Sequence, residues 1–214
     1  MGYHESLTEG RNAVLEAFRS GKTVDRLFVL DGCQDGPVKT ILREAKKQDT
    51  MVQYVKKERL DQLSETKNHQ GVIAYCAACE YAEVSDILEN AKKKGEAPFI
   101  VLLDGIEDPH NLGAIIRTAN QAGAHGVIIP KRRAVGLTAT VARTSAGAVN
   151  YTPVAKVTNL VTVMEDLKKE GMWFVCADMD GEEMYSLNLK GPIGLVIGNE
   201  GEGVSRLVKE HCML

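Results

Sequence analysis

Two short stretches hold polar residues at spacings that suit a ligand or a reaction. The first is DGIEDPHNLGAIIRTANQAG, from Asp104 to Gly123. An apolar run ends at Asp104 and a polar loop follows. Asn111 then stands where a helix N-cap belongs, with Pro109 favouring a loop entry before it. Gly113 leaves room for a ligand or another backbone to come close. Arg117 falls six residues beyond Asn111, less than two helical turns along. With Ile115 and Ile116 turned inward, it is expected to point back toward the carboxyl edge of the sheet, where open α/β folds bind ligands. Taken singly, Asn111 reads as a cap and Arg117 as half of a surface ion pair. Together, at the end of one strand, they form a candidate site.

The second stretch is GPIGLVIGNEGEGVS, from Gly191 to Ser205. A strand-like run leads into Gly198-Asn199-Glu200-Gly201-Glu202-Gly203 and then into a helical pattern. Three glycines in six residues allow positive φ angles and close approach of backbone to a flat ligand. No Lys-Ser/Thr pair follows, which excludes a P-loop, and the order GxxGxG is not the dinucleotide fingerprint. Two acids inside the loop would repel a pyrophosphate, so the loop suits a cationic or neutral ligand.

The elements that must position these stretches alternate between strand and helix, as in α/β architectures. Strand-like runs are expected at 27–30, 52–55, 72–76, 99–103, 127–129, 173–177 and 193–197. Helical patterns are expected at 11–19, 38–47, 84–94, 112–122, 160–169 and 204–210, from apolar residues recurring every three or four positions. The charged segment Lys92-Lys93-Lys94-Gly95-Glu96, with Pro98 before a very apolar run, marks a boundary. The organisation this predicts is a domain over 1–80, a linker helix over 81–98 and a second α/β domain over 99–214.

Composition sets bounds on the rest. The chain has 214 residues, 44% of them hydrophobic, enough to build cores. No run approaches the ~18–20 apolar residues of a membrane span, and no signal-peptide pattern opens the chain, which predicts a soluble cytoplasmic protein. Five scattered cysteines argue against a disulfide framework. Cys76 and Cys79 form a lone CxxC without a second pair or spaced histidines, which reads as two thiols on a strand rather than a metal site. A net charge of −3 does not mark a nucleic-acid binder, but phosphate contacts need only a local patch. The best such patch is Lys131-Arg132-Arg133.

NLGAIIRTANQAG resembles the first diagnostic motif of the SpoU (TrmH-like) RNA ribose 2′-O-methyltransferases, and LVIGNEGEGVS resembles the second. The segment between, IPKRRAVGLTATVARTSAGAV, is similar to the joining segment of the RlmB-type 23S rRNA guanosine-2′-O-methyltransferases. RNAVLEAF near Arg11 and NHQGVIA at 68–74 resemble that subfamily's substrate-binding domain. The likeness covers essentially the whole chain, with motif order and spacing intact.

The resemblance implies an N-terminal L30e-like α/β/α domain and a C-terminal α/β-knot (SPOUT) domain, a homodimer, and S-adenosylmethionine as cofactor. A sulfonium on an adenosine matches the acidic glycine loop. The implied cofactor contacts are Ile197, Gly198, Asn199 and Ala177. Asn111 and Arg117 would face the target nucleotide, and Glu200 would order the loop and the ribose. The family's arginine has been proposed as the base. A guanidinium stays charged at neutral pH and is a poor base, so Arg117 is expected to hold a phosphate and stabilise the developing alkoxide. RNA phosphates would meet Arg11, Lys22, Arg26, Lys131, Arg132 and Arg133. A guanosine in 23S rRNA is the favoured target. The alternatives are a tRNA substrate or a non-catalytic RNA-binding protein of ribosome assembly. The family's third motif, an SLN-containing stretch after the second, has no counterpart here, because Ser186-Leu187-Asn188 precedes the second motif. The knot-forming segment is therefore expected to lie beyond Leu214.

Overall fold

The computed structural model describes residues 6–213, which divide into two compact units between Glu80 and Tyr81. In the first unit the elements are β1 (Ser6–Glu9), α1 (Arg11–Arg19), β2 (Val24–Leu30), α2 (Gly36–Lys47), β3 (Met51–Val55), α3 (Lys57–Leu63) and β4 (Val72–Cys76). The sheet order is β1-β4-β2-β3; β2 and β3 run parallel, and β4 is antiparallel to both of its neighbours. Val14, Phe18, Leu27, Val29, Ile41 and Val72 close the core between one face and helices α1 and α2. On the other face Phe28 and Ile73 pack with Leu60 of α3. The unit is thus a helix–sheet–helix sandwich, the three-layer arrangement that the family resemblance implied.

The second unit holds α4 (Val84–Lys94), β5 (Phe99–Asp104), α5 (Pro109–Gln121), β6 (Gly126–Pro130), α6 (Ala139–Thr144), β7 (Val154–Val157), α7 (Leu160–Lys169), β8 (Trp173–Cys176), β9 (Ile193–Gly198) and α8 (Arg206–Lys209). Its five strands are all parallel in the order β7-β6-β5-β9-β8. All five carboxyl ends therefore face one side, and the two motif loops emerge next to each other from β5 and β9.

The segment over 81–98, expected as a linker helix, is instead part of this unit. Ile87 and Ala91 are fully buried, and Ile87 packs among Ile100, Leu102, Ile128 and Ala155. Gly126 makes that possible, since a Cβ there would stand 2.5 Å from Ile87. The lysine run at 92–94 suggests a linker, but the two buried apolar positions of α4, Ile87 and Ala91, tie it to the second unit.

Helix α5 also begins earlier than expected. Its N-cap is Asp108, whose carboxylate accepts from the backbone amides of His110 and Asn111, and Pro109 is the first helical residue. A carboxylate at the cap and a proline at the first position need no further capping residue. Asn111 is consequently inside the first turn, and its side chain is free of the capping role. Gly113 serves backbone contact: a Cβ there would lie 1.9 Å from Thr144 Oγ1, so the glycine lets α6 pack against α5.

Candidate active site at the carboxyl edge of the parallel sheet

Strands β5 and β9 pair along their length, ending at Asp104 opposite Gly198. Two bonds lock the loops that follow. The Asp104 carboxylate accepts from the Ser205 amide at 2.7 Å, and the Asn199 side-chain amide donates to the Gly105 carbonyl at 2.8 Å. Asn199 Oδ1 accepts from the amides of Gly201 at 2.8 Å and Glu202 at 3.3 Å. The loop closes on itself by paired backbone bonds between Asn199 and Gly203, at 3.0 and 2.8 Å.

Such a closed loop has no room for a side chain at Gly198. A Cβ there would lie 2.1 Å from the Gly203 carbonyl carbon and 2.2 Å from the Val204 nitrogen. The sequence suggested glycines for backbone approach to a ligand. In the structure, Gly198 is required by the loop's own backbone, and of the three loop glycines only Gly203 has positive φ, +69°.

The result is a hollow of about 450 Å³ lined by Ile106, Glu107, Asp108, Asn111, Asn199, Glu200 and Gly201. Across it the Asn111 side-chain amide donates to Glu200 Oε2 at a long 3.5 Å, joining residues 89 apart in the chain. The two polar residues singled out from different motifs therefore meet. Arg117 does not join them. It is six residues further along α5, about 120° around the helix from Asn111. It is exposed and makes no hydrogen bond or ion pair among the described residues.

Of the remaining expected contacts, Ile197 and Gly198 are half-buried at the end of β9. Ala177 lies in a second, larger hollow of about 740 Å³ whose walls include Val175, Leu187, Leu189, Leu195 and Met213. Asp178 there is held below the usual carboxylate range by the Lys209 ammonium, 2.6 Å away.

Several cations expected to meet phosphate are occupied inside the protein. Arg133 pairs with Glu202 of the glycine loop at 3.0 Å, and Val135 bonds the Ile106 carbonyl, so the 131–137 segment buttresses both motif loops. Arg11 is bound to Asp35 at 2.6 Å and to the Gln70 carbonyl at 3.1 Å, which fastens α1 to the NHQG turn. Lys22 and Arg132 are exposed and Arg26 is half-buried; none of the three makes an ion pair among the described residues. Lys131 is half-buried and engaged. Residues the sequence reading missed are Asp104, whose carboxylate holds Ser205, and Asp108, which caps α5 in Asn111's place. The Asp-Pro pair at 108–109 was the available signal for the second.

Comparison with known proteins agrees across both units. The model of the SpoU rRNA Methylase family matches residues 98–214, and that described as RNA 2′-O ribose methyltransferase substrate binding matches residues 7–82. The chain is 48% identical over 205 residues to YacO of Bacillus subtilis, whose name places it among TrmH family tRNA/rRNA methyltransferases; the match covers 95% of this chain and 82% of YacO. A Staphylococcus haemolyticus protein of similar name is 45% identical over the same shares. Among solved structures, the SpoU methyltransferase AviRb from Streptomyces viridochromogenes in complex with AdoMet superposes with a TM-score of 0.56 at 24% identity, over 97% of this chain and 78% of AviRb. An AdoMet-bound rRNA methyltransferase from Sinorhizobium meliloti gives 0.54 at 23%, over 96% and 75%. On its fold, its two family matches and the extent of its identity to these relatives, the chain belongs to the SpoU (TrmH) family of RNA methyltransferases.

Proposed function

We propose that the chain methylates a ribose 2′-hydroxyl of structured RNA, with S-adenosylmethionine as methyl donor and a guanosine of 23S rRNA as target. The observation that carries the reading is the meeting of Asn111 and Glu200 in one hollow at the sheet's carboxyl edge. The hollow fits a sulfonium ligand: its lining has three carboxylates, Glu107, Asp108 and Glu200, and no basic side chain. A cation is favoured there and a pyrophosphate is not. Asn199, which lines this hollow, would hold the cofactor together with Ile197 and Gly198 at the end of β9; Ala177 lines the other, larger hollow and is not brought to this one. When bound, it would supply an electrophilic methyl: the ribose oxygen would bond to the methyl carbon as the carbon–sulfur bond breaks, and S-adenosylhomocysteine would leave as a neutral thioether.

The protein's own contribution is orientation and charge. Asn111 and Glu200 would hold the ribose, and the Glu200 carboxylate is the group in this hollow proposed to take the hydroxyl proton as oxygen gains the methyl. Arg117, exposed and uncommitted, binds the adjacent phosphate and offsets the developing charge on oxygen. The 23S preference rests on the substrate-binding match over 7–82 and on the RlmB-like joining segment.

Transfer of tritiated methyl to unmodified 23S rRNA and to bulk tRNA tests the reading. Label at a ribose 2′-oxygen of 23S rRNA is expected. Label in tRNA alone would replace the substrate, and no label in either would overturn the activity. Arg117→Ala should lower kcat more than cofactor affinity; unchanged turnover would remove Arg117 from the site.

A further inference from the structure

Besides Lys22 and Arg26, the first unit carries a group of cations that the sequence did not single out. Helix α2 carries Lys39, Arg43 and Lys46, all exposed and none with a side-chain ion pair or hydrogen bond among the described residues. Lys47, by contrast, is bound to Glu44 at 2.7 Å. At about 100° per residue the three unpaired cations fall within an arc of about 60°, one flank of the helix.

That flank can be oriented. Gln48 lies about 170° around the helix from the stripe, and its amide reaches the Phe18 carbonyl at the end of α1. The α1 side of α2 is therefore the opposite side, and the stripe faces outward over β3, the edge strand. Tyr54 of β3 is in register with Val29, whose side chain is in the core beneath α1 and α2, so Tyr54 is on the same sheet face as α2. It is 57% exposed, while Val52 on that face packs into the core. A large aromatic ring thus stands open beside three uncommitted cations.

We infer that the outer flank of α2 and the edge of β3 form an RNA-binding surface in which Lys39, Arg43 and Lys46 bind successive phosphates and Tyr54 stacks on an unpaired base. Cations track a backbone and an aromatic platform takes any base, the combination suited to single-stranded loops and bulges. The α2 segment has four basic residues and one acid in a chain of net charge −3, so the positive charge is local. The inference rests on the RNA reading above and names the part of the RNA that the first unit would hold, an unpaired segment.

The test is fluorescence anisotropy of the full chain with labelled, unmodified fragments of 23S rRNA, each containing an internal loop, across a salt series. Lys39→Gln/Arg43→Gln/Lys46→Gln should flatten the slope of log Kd against log salt by about 2, from ~0.7 per lost contact, which is about a hundredfold weaker binding at 0.1 M salt. Arg43→Gln alone should flatten it by about 0.7. Tyr54→Ala should weaken binding at least about fivefold with the slope unchanged, and Tyr54→Phe should bind as the parent does. Melting curves should match the parent, since all four side chains are exposed. Parent-like affinity and slope in the triple variant, with the parent binding RNA, would overturn this surface and leave the methyltransferase reading standing. A parent chain that binds none of the RNAs would overturn both.

Discussion

Gly198, Gly201 and Gly203 look alike in sequence, yet the structure gives them three different sensitivities to alanine. At Gly198 the added Cβ would meet only backbone, at 2.1–2.3 Å from Gly203 and Val204, and backbone cannot rotate away. Relief requires opening the loop, with loss of the two Asn199–Gly203 bonds. Overpacking costs ~1–3 kcal/mol and each bond ~0.5–1.5 kcal/mol, so Gly198→Ala should cost about 2–6 kcal/mol. At Gly203 nothing lies within 4 Å, but φ is +69°, which costs an alanine ~1–2 kcal/mol. At Gly201 the nearest atom is Asn199 Oδ1 at 3.5 Å and φ is not positive, so the change should be within ~0.5 kcal/mol. Calorimetry reads the differences as shifts of the second unit's melting transition, at ~2–4 °C per kcal/mol. Titration with S-adenosylmethionine should show affinity falling in the same order, because opening the loop displaces Gly198 and Asn199, the proposed cofactor contacts. If Gly198→Ala melts with Gly201→Ala, the closed loop is not what Gly198 is for.

Asn199→Asp keeps the acceptor for Gly201 and Glu202 but turns an oxygen toward the Gly105 carbonyl; it should weaken cofactor binding about tenfold or more, and parent-like titration would reject the role of that bond. Partial burial raises the pKa of Glu9, but bonds from Ser64, Glu65 and Thr66 outweigh it and hold the group below its ordinary 4.5. Ionised Glu9 therefore stabilises the first unit fully above pH 4.5 and progressively less as pH falls below it. Acid melts of parent and Glu9→Gln should converge there, and a constant gap down to pH 3 would contradict it. Burial, then contact with Cys176, pushes the Cys212 thiol up to about 12, so iodoacetamide at pH 8 should spare it in the folded chain and modify it in urea, as read by mass spectrometry. Arg133→Ala breaks a pair whose members are 68% and 78% exposed and should cost under ~1 kcal/mol.

What the sequence made legible was whatever long apolar runs or motif residues encode. Asn111 and Glu200 were assigned to one site only by the family resemblance, whereas strands β5 and β9 followed from the apolar runs directly. Short elements did not. β1 and β7 have four residues each, and α3, KERLDQL, has Leu60 as its one buried position, so neither period had room to repeat. The cap of α5 was misplaced because Asn111 and Asp108 are both good caps, and only the geometry of Pro109 decides between them. Arg11 and Arg133 were read as phosphate ligands because their partners, Asp35 and Glu202, are 24 and 69 residues away and no local pattern announces them. The stripe on α2 was invisible for the converse reason: a lysine is identified as uncommitted only once every neighbour is in view.

The strand order β7-β6-β5-β9-β8 has a consequence for the time at which the site comes into being. Strand β9 inserts between β5 and β8, both of which precede it, so β5 and β8 stand unpaired on their facing edges until that strand arrives. Asn111 and Glu200 are 89 residues apart, and at ~5–20 residues per second a ribosome needs roughly 5–20 s to make the intervening chain. During that interval β5 presents an open apolar edge, the kind of surface that pairs with other chains or calls for a chaperone. Docking of β9 closes the edge and assembles the hollow in one event. An immature chain therefore has no half-built site to bind cofactor, and cofactor binding should report completion of the sheet.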